Sequence, residues 1–146
     1  MKLANLLNPE RIILEMTAGE HWPAIVELID HLVSCGTLES EMREEILEAL
    51  RIREEQVSTG VGHGVAIPHA FSEKLESVIT ILGRSPGGID FESLDGKPVH
   101  FVILFLVPKK DYHLHLQTLA AIAKMFTNAE IRRRLAEAGT HQEILD

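Results

Sequence analysis

The chain has 146 residues, enough to bury a continuous core in one domain without disulfides or metals. Fourteen Lys and Arg stand against twenty-two Asp and Glu, and the formal net charge of −8 disfavours nucleic acid as a partner and offers no polybasic face to an anionic membrane. The longest apolar run, Val99 to Pro108, carries His100 and is far shorter than the roughly 20 residues a membrane helix needs, while Met1-Lys2-Leu3-Ala4-Asn5 lacks the apolar segment of a secretory signal. A cytoplasmic protein with no direct membrane insertion is therefore expected.

Arg11 to Met16 reads as a short strand. Glu20 to Cys35 has helical periodicity through Trp22, Ile25, Leu28, Ile29, Leu32 and Val33, with Gly36 as its stop. Cys35 is the sole cysteine, so it forms no internal disulfide; it has no second ligand at zinc spacing and reads as a small buried helix residue. Ser40 is placed to cap a second helix running to about Glu55, with Met42, Ile46, Leu47, Ala49 and Leu50 as its apolar stripe. Val65 to Pro68, Ser77 to Gly83 and Pro98 to Val107 read as strands, the last of them buried. Between them, Ser85-Pro86-Gly87-Gly88 and Leu94-Asp95-Gly96-Lys97-Pro98 carry turn chemistry. Helical patterning returns from about Asp111 to Phe126 and from Asn128 to Ala138, with Gly139 as a stop before a short tail helix. The expected architecture is α/β: a single domain with a mixed β-sheet flanked by α-helices.

The most informative stretch is Gly62-His63-Gly64-Val65-Ala66-Ile67-Pro68-His69-Ala70. Proline fixes its own φ and drives the preceding Ile67 into an extended conformation, so the chain enters His69 with little freedom left. Gly60, Gly62 and Gly64 can expose unshielded backbone N–H groups of the kind that surround an anion. A rigidly presented imidazole beside an anion-binding backbone points to phosphoryl chemistry.

The segment Arg53-Glu54-Glu55-Gln56-Val57-Ser58-Thr59-Gly60, followed by the glycine run and Ala66-Ile67-Pro68-His69, resembles the phosphorylation-site signature of type-2 enzyme IIA domains of the bacterial phosphotransferase system, the mannitol, fructose and nitrogen-regulatory branch. The likeness extends over essentially the whole chain, through Leu94-Asp95-Gly96-Lys97-Pro98, Leu106-Val107-Pro108 and His115-Leu116-Gln117-Thr118-Leu119. It implies a phosphocarrier in which His69 accepts a phosphoryl group from the histidine phosphocarrier protein. That group then passes to a cysteine of an enzyme IIB, or its presence switches binding to a regulatory target. The resemblance also implies that no cofactor is needed, that His115 and Arg53 lie beside the phosphorylated histidine, and that Ser58 and Thr59 wall the same site. Independently, a planar, always-charged guanidinium suits phosphate oxygens, and hydroxyls or backbone N–H groups can donate to them.

His63 stands where relatives often carry asparagine or another polar residue, and is read either as a rim residue touching phosphate or partner, which makes it a phosphate-binding candidate, or as a solvent-facing loop histidine. Ala70 likewise replaces a frequent glycine. The pair His113-Leu114-His115 would chelate a metal if it lay on a strand, but on a helix at about 100° per residue the two rings point roughly 200° apart, so only one can face the site. The resemblance selects His115, and no metal is assigned; a metal-dependent hydrolase is the third-ranked alternative behind transport and purely regulatory roles. Leu116, Leu119, Ala120, Ile122 and Ala123 read as the packing stripe that aims His115, and Arg132, Arg133 and Arg134 as a solvated helix face. His21, His31, His100 and His141 lack a motif context, and Glu54 is not assigned the orienting of Arg53. The Ser58-Thr59-Gly60 and Gln117-Thr118-Leu119 contexts lean towards the nitrogen-regulatory members.

Overall fold

The computed structural model describes residues 9–56, 60–93 and 95–139. A 3-10 turn at Pro9–Arg11 and strand β1 (Ile12–Ile13) lead to helix α1 (His21–Ser34), a second 3-10 turn (Ser40–Met42) and helix α2 (Arg43–Gln56). Strands β2 (Gly60–Gly62), β3 (Val65–Ala66), β4 (His69–Ser72), β5 (Ile79–Ile89) and β6 (Val99–Pro108) follow. A 3-10 turn (Lys109–Asp111) then opens helix α3 (Tyr112–Met125), and helix α4 (Ala129–Glu137) comes last among the described residues. No helix among them is long and apolar enough to cross a membrane.

The strands form one mixed sheet in the order β1-β5-β6-β3-β2. β1 runs parallel to β5, β5 antiparallel to β6, and β3 and β4 both parallel to β6. Because β5 already pairs with the same stretch of β6 that β4 uses, β4 occupies the opposite edge of β6, beyond the end of β3. Alternation along β6 divides the core in two. Val102, Leu104 and Leu106 join Ile25, Leu28, Ile46 and Leu50 under α1 and α2, whereas Phe101, Ile103, Phe105 and Val107 join Leu119, Ile122 and Phe126 on the α3 face.

Local chemistry sets the ends of the helices. Gly36, at φ +79°, closes α1: its N–H donates to the Val33 carbonyl at 3.1 Å and that of Thr37 to the Leu32 carbonyl at 3.0 Å, the paired bonds of a Schellman motif. The Asn128 side chain accepts from the N–H groups of Glu130 and Ile131 at 2.9 and 3.4 Å and so caps α4. Ser40 does not cap α2; it lies within the 3-10 turn that feeds the helix, and the residue ahead of it, Glu39, makes no side-chain cap either.

Three expectations need correction. The first strand is two residues long, because the chain bends at Leu14 and Glu15 and returns to β5 only through the Met16 N–H, which donates to the Arg84 carbonyl at 2.8 Å. Ser85-Pro86-Gly87-Gly88 is not a turn between strands: β5 continues through it, and the register shift against β6 between Arg84 and Ile89 absorbs the irregular residues. On α3 the buried residues are His115, Thr118, Leu119 and Ile122, while Leu116 and Ala120 face outwards. The apolar content of the helix therefore does not give its phase. The short tail helix expected after Gly139 lies outside the described residues, as does Leu94 of the Asp95-Gly96 turn.

Candidate functional site

His69 is the first residue of β4, where Pro68 delivers it beside Phe105 of β6. Its neighbour Ala70 packs under α1 and α2, so alternation turns His69 and Phe71 to the α3 face. The ring is half-buried, and its Nδ1 lies 2.9 Å from the Ile67 carbonyl oxygen. A carbonyl only accepts, so Nδ1 carries the proton and donates, which leaves the Nε2 lone pair as the nucleophilic atom of the neutral ring. Phe71 lies edge-on at a centroid distance of 6.0 Å, and the Tyr112 ring packs on Phe71 at 4.7 Å.

Burial holds the His69 pKa below the usual histidine value; the Ile67 carbonyl, which favours the protonated ring, opposes this, the positive charge of Arg53 adds to the lowering, and the Glu54 carboxylate pulls upwards. The same balance places Arg53 and Glu54 within electrostatic reach of the imidazole. Both belong to the last turn of α2, which packs against β4. Arg53 itself is exposed, its guanidinium open to an incoming group. His115 heads the buried stripe of α3, the helix that follows β6 and returns over the face to which His69 points, and the Tyr112–Phe71 contact fixes the first turn of α3 against β4. His115 is 5% exposed, and its Nδ1 is buried without a hydrogen-bond partner among the described residues. His113 is exposed and stands against Tyr112, so the two histidines diverge as helix geometry requires.

The family model "Phosphoenolpyruvate-dependent sugar phosphotransferase system, EIIA 2" matches residues 5–146. The chain belongs to this family. It is 36% identical over 146 residues to the fructose-specific EIIABC component of Bacillus subtilis, covering all of this chain and 23% of that protein, so it spans about a quarter of that multidomain relative. It is also 34% identical to a nitrogen regulatory protein of Bradyrhizobium diazoefficiens, over 99% of this chain and 92% of that one. The crystal structure of the nitrogen regulatory protein IIA-Ntr from Neisseria meningitidis superposes with a TM-score of 0.88 at 29% identity, covering 98% and 96% of the two chains. The same fold, at 22% identity and a TM-score of 0.76 over 95% and 94% of the chains, occurs in the complex of mannitol enzyme IIA with phosphorylated enzyme IIB from Escherichia coli.

Within this EIIA domain, the residues singled out from the sequence do not all converge. Arg53 and His69 lie within electrostatic reach of each other beside Phe105, and His115 is buried on α3, which packs on the same face of the sheet. Ser58 and Thr59 lie outside the described residues. His63 is carried elsewhere: it sits at the tip of the β2–β3 hairpin with φ +58°, next to Gly64, whose carbonyl accepts from the N–H groups of His100 and Phe101 at the start of β6. Extended chain separates it from His69 by about six residues at roughly 3.3 Å each, so the rim role expected for His63 beside His69 is not supported.

Other residues at the site gave no sequence signal. His21, at the start of α1, bonds through Nε2 to Glu54 Oε2 at 2.6 Å, with side chains 15% and 5% exposed, and its ring lies 4.0 Å from that of Phe91. This pair ties the N-terminus of α1 to the turn that carries Arg53. The partners are 33 residues apart, and no spacing rule links them. Phe71 and Tyr112 were equally silent, although the period of two from His69 to Phe71 could have marked the former.

Proposed function

We propose that this EIIA domain is a phosphoryl carrier whose acceptor atom is Nε2 of His69. The reading rests on one observation above the others: the Ile67 carbonyl engages Nδ1–H and leaves Nε2 as the free lone pair of a half-buried ring. In the acceptance step that lone pair forms a bond to the phosphorus of the donor, the histidine phosphocarrier protein, as the donor's own N–P bond breaks and its imidazole recovers the electron pair. Such transfers pass through an in-line arrangement in which charge spreads over three equatorial oxygens, so catalysis consists mainly of positioning and electrostatics. Arg53 supplies the counter-charge in this scheme, and the unpaired Nδ1 of His115 supplies a ring atom for a phosphoryl oxygen or a proton beside it. The Ile67 carbonyl holds the Nδ1 proton while the ring carries phosphorus, and the imidazole leaves as a neutral base when the next nucleophile attacks.

The onward acceptor is the cysteine thiolate of an enzyme IIB component, a partner of the kind that the mannitol enzyme IIA of the same fold is found with, or the phosphorylated domain itself acts on a regulatory target. Nitrogen regulatory proteins and a fructose-specific EIIA component both match almost end to end, and both roles use the same phosphorylated histidine. No dedicated base is required, since the depressed pKa keeps most of the ring neutral at pH 7. Incubation with phosphoenolpyruvate, enzyme I and the histidine phosphocarrier protein, followed by intact-mass analysis and site mapping, should give one phosphoryl adduct on His69. His69→Ala should give none, whereas His115→Ala should still accept phosphate but pass it on more slowly. Undiminished labelling of His69→Ala would refute the assignment.

A further inference from the structure

We infer that the EIIA domain has a second binding site, for a small hydroxylated phosphate ester, at the end of the sheet remote from His69. A depression of about 530 Å³ opens there between the β2–β3 hairpin tip, the irregular part of β5, the start of β6 and α4, lined by His63, Arg84, Ser85, His100, Phe101 and Arg132 among others. Its volume lies within the range of small-molecule sites. In a chain of net charge −8 it gathers cations, and two of them have donors to spare.

Arg84 is 8% exposed; its Nε donates to the Leu14 carbonyl at 3.0 Å and its Nη1 to the carbonyls of Leu135, Ala136 and Ala138, so the guanidinium is fixed. Its Nη2 has no partner among the described residues. Arg132 is half-buried, holds the Phe126 carbonyl through Nη1 at 2.6 Å, and keeps Nε and Nη2 without partners there. Arg133 differs: its charge is taken up by Glu130 and Glu137. Two rigid guanidinium groups with open edges form an oxyanion site.

His100 supplies the second half of the recognition. Its Nδ1 lies 2.9 Å from the Ser85 carbonyl and must donate to it, which leaves Nε2 as an acceptor. Its ring is slotted between Gly64 and Gly88, both at positive φ; a Cβ on either would sit 3.4 Å from Cδ2 or 3.2 Å from Cε1. An acceptor held in place beside two cations calls for a ligand carrying a hydroxyl proton as well as a charged oxygen. Sulfate and tricarballylate, which carry no hydroxyl proton at neutral pH, match only the cations.

The test titrates the full chain with glucose 6-phosphate, sulfate and tricarballylate while following histidine side-chain and backbone resonances by NMR. The inference predicts saturable shifts at His63, His100 and Arg132 with glucose 6-phosphate, and binding at least about tenfold weaker for the other two probes, as expected for loss of one hydrogen bond to a half-buried acceptor. Arg132→Gln should weaken glucose 6-phosphate binding by a similar factor, and the positive-φ-compatible His63→Gly, which leaves the helix contacts intact, should weaken it too. His69→Ala should bind as the parent does, and Arg132→Gln should accept phosphate on His69 at the parent rate, so this inference and the carrier role fail separately. Shifts confined to the surroundings of His69, an equal response to all three probes, or binding indifferent to both substitutions would overturn it.

Discussion

At the scale of single residues, the account turns on a few atoms around one imidazole. Because burial, aided by Arg53, depresses the His69 pKa, the neutral nucleophile persists below the ordinary histidine value of about 6.5. Phosphoryl acceptance measured against pH should therefore hold its plateau below pH 6.5, and a profile that falls away above that value would contradict the assigned environment. The same shift affects stability. The unfolded ring takes up its proton at a higher pH than the folded one, so the site's contribution is full above about pH 6.5 and is lost as pH falls towards the folded pKa. Arg53→Gln should cut the rate of acceptance by about tenfold or more, since it removes a charged donor to the phosphoryl oxygens, while moving the midpoint of the pH profile upwards. A rate change with a fixed midpoint would separate Arg53 from the imidazole. Pro68 and the glycine run single out His69 in the sequence and the family resemblance adds Arg53, whereas His21–Glu54 gave no signal, because only the packing of α1 on α2 brings those partners together.

At the scale of elements, the sheet places the site and the helices complete it. β4 escaped detection as a strand because His69-Ala70-Phe71-Ser72 is short and lies at an edge, where one pairing partner and a single buried face leave little apolar signature. β5 was cut short by the opposite error. Its Ser-Pro-Gly-Gly segment has every local preference of a turn, yet the pairing of Ile89 with Val99 re-forms the ladder beyond the bulge. The phase of α3 was misread because His115 and Thr118 take buried positions that a hydrophobicity pattern gives to Leu116 and Ala120. Helix α1 was read correctly because its buried positions are all apolar. Two predictions belong here. A Cβ at Gly83 would meet Met16 and would come within 2.9 Å of Leu28 Cδ2, so Gly83→Ala should lower stability by about 1–3 kcal/mol in denaturant unfolding. Asn128→Ala, which removes the cap of α4, should cost about 1 kcal/mol by the same measurement.

At the scale of the whole molecule, the two apolar layers around β6 take in Ala70 on one side and the packing of Phe71 on the other, while the His69 ring between them stays partly exposed. A partly exposed ring carries chemistry more than stability. His69→Ala should unfold within about 3 °C of the parent protein while losing all phosphoryl acceptance; a larger fall would make the ring a structural element instead. The two ends of β6 also carry different chemistry, a nucleophilic imidazole beside Phe105 and a cationic depression beside Phe101. The parallel pairing of β3 and β4 with β6 keeps those ends apart. The α/β class and the succession of α1 to α4 with β1, β3, β5 and β6 could be read from the sequence pattern, whereas β2 and β4 could not. Which loop residues share an end of the sheet could not, and His63 shows why: its place in the chain is near His69, but the extended backbone between them carries it to the far end.

The account stands or falls on which ring nitrogen receives phosphorus. Two-dimensional NMR of the phosphorylated chain, labelled with ¹⁵N in its histidines, reads this directly from the coupling of phosphorus to each nitrogen of His69. The geometry predicts phosphorus on Nε2, with Nδ1 still protonated against the Ile67 carbonyl. Phosphorus on Nδ1, or on any other histidine, would contradict it.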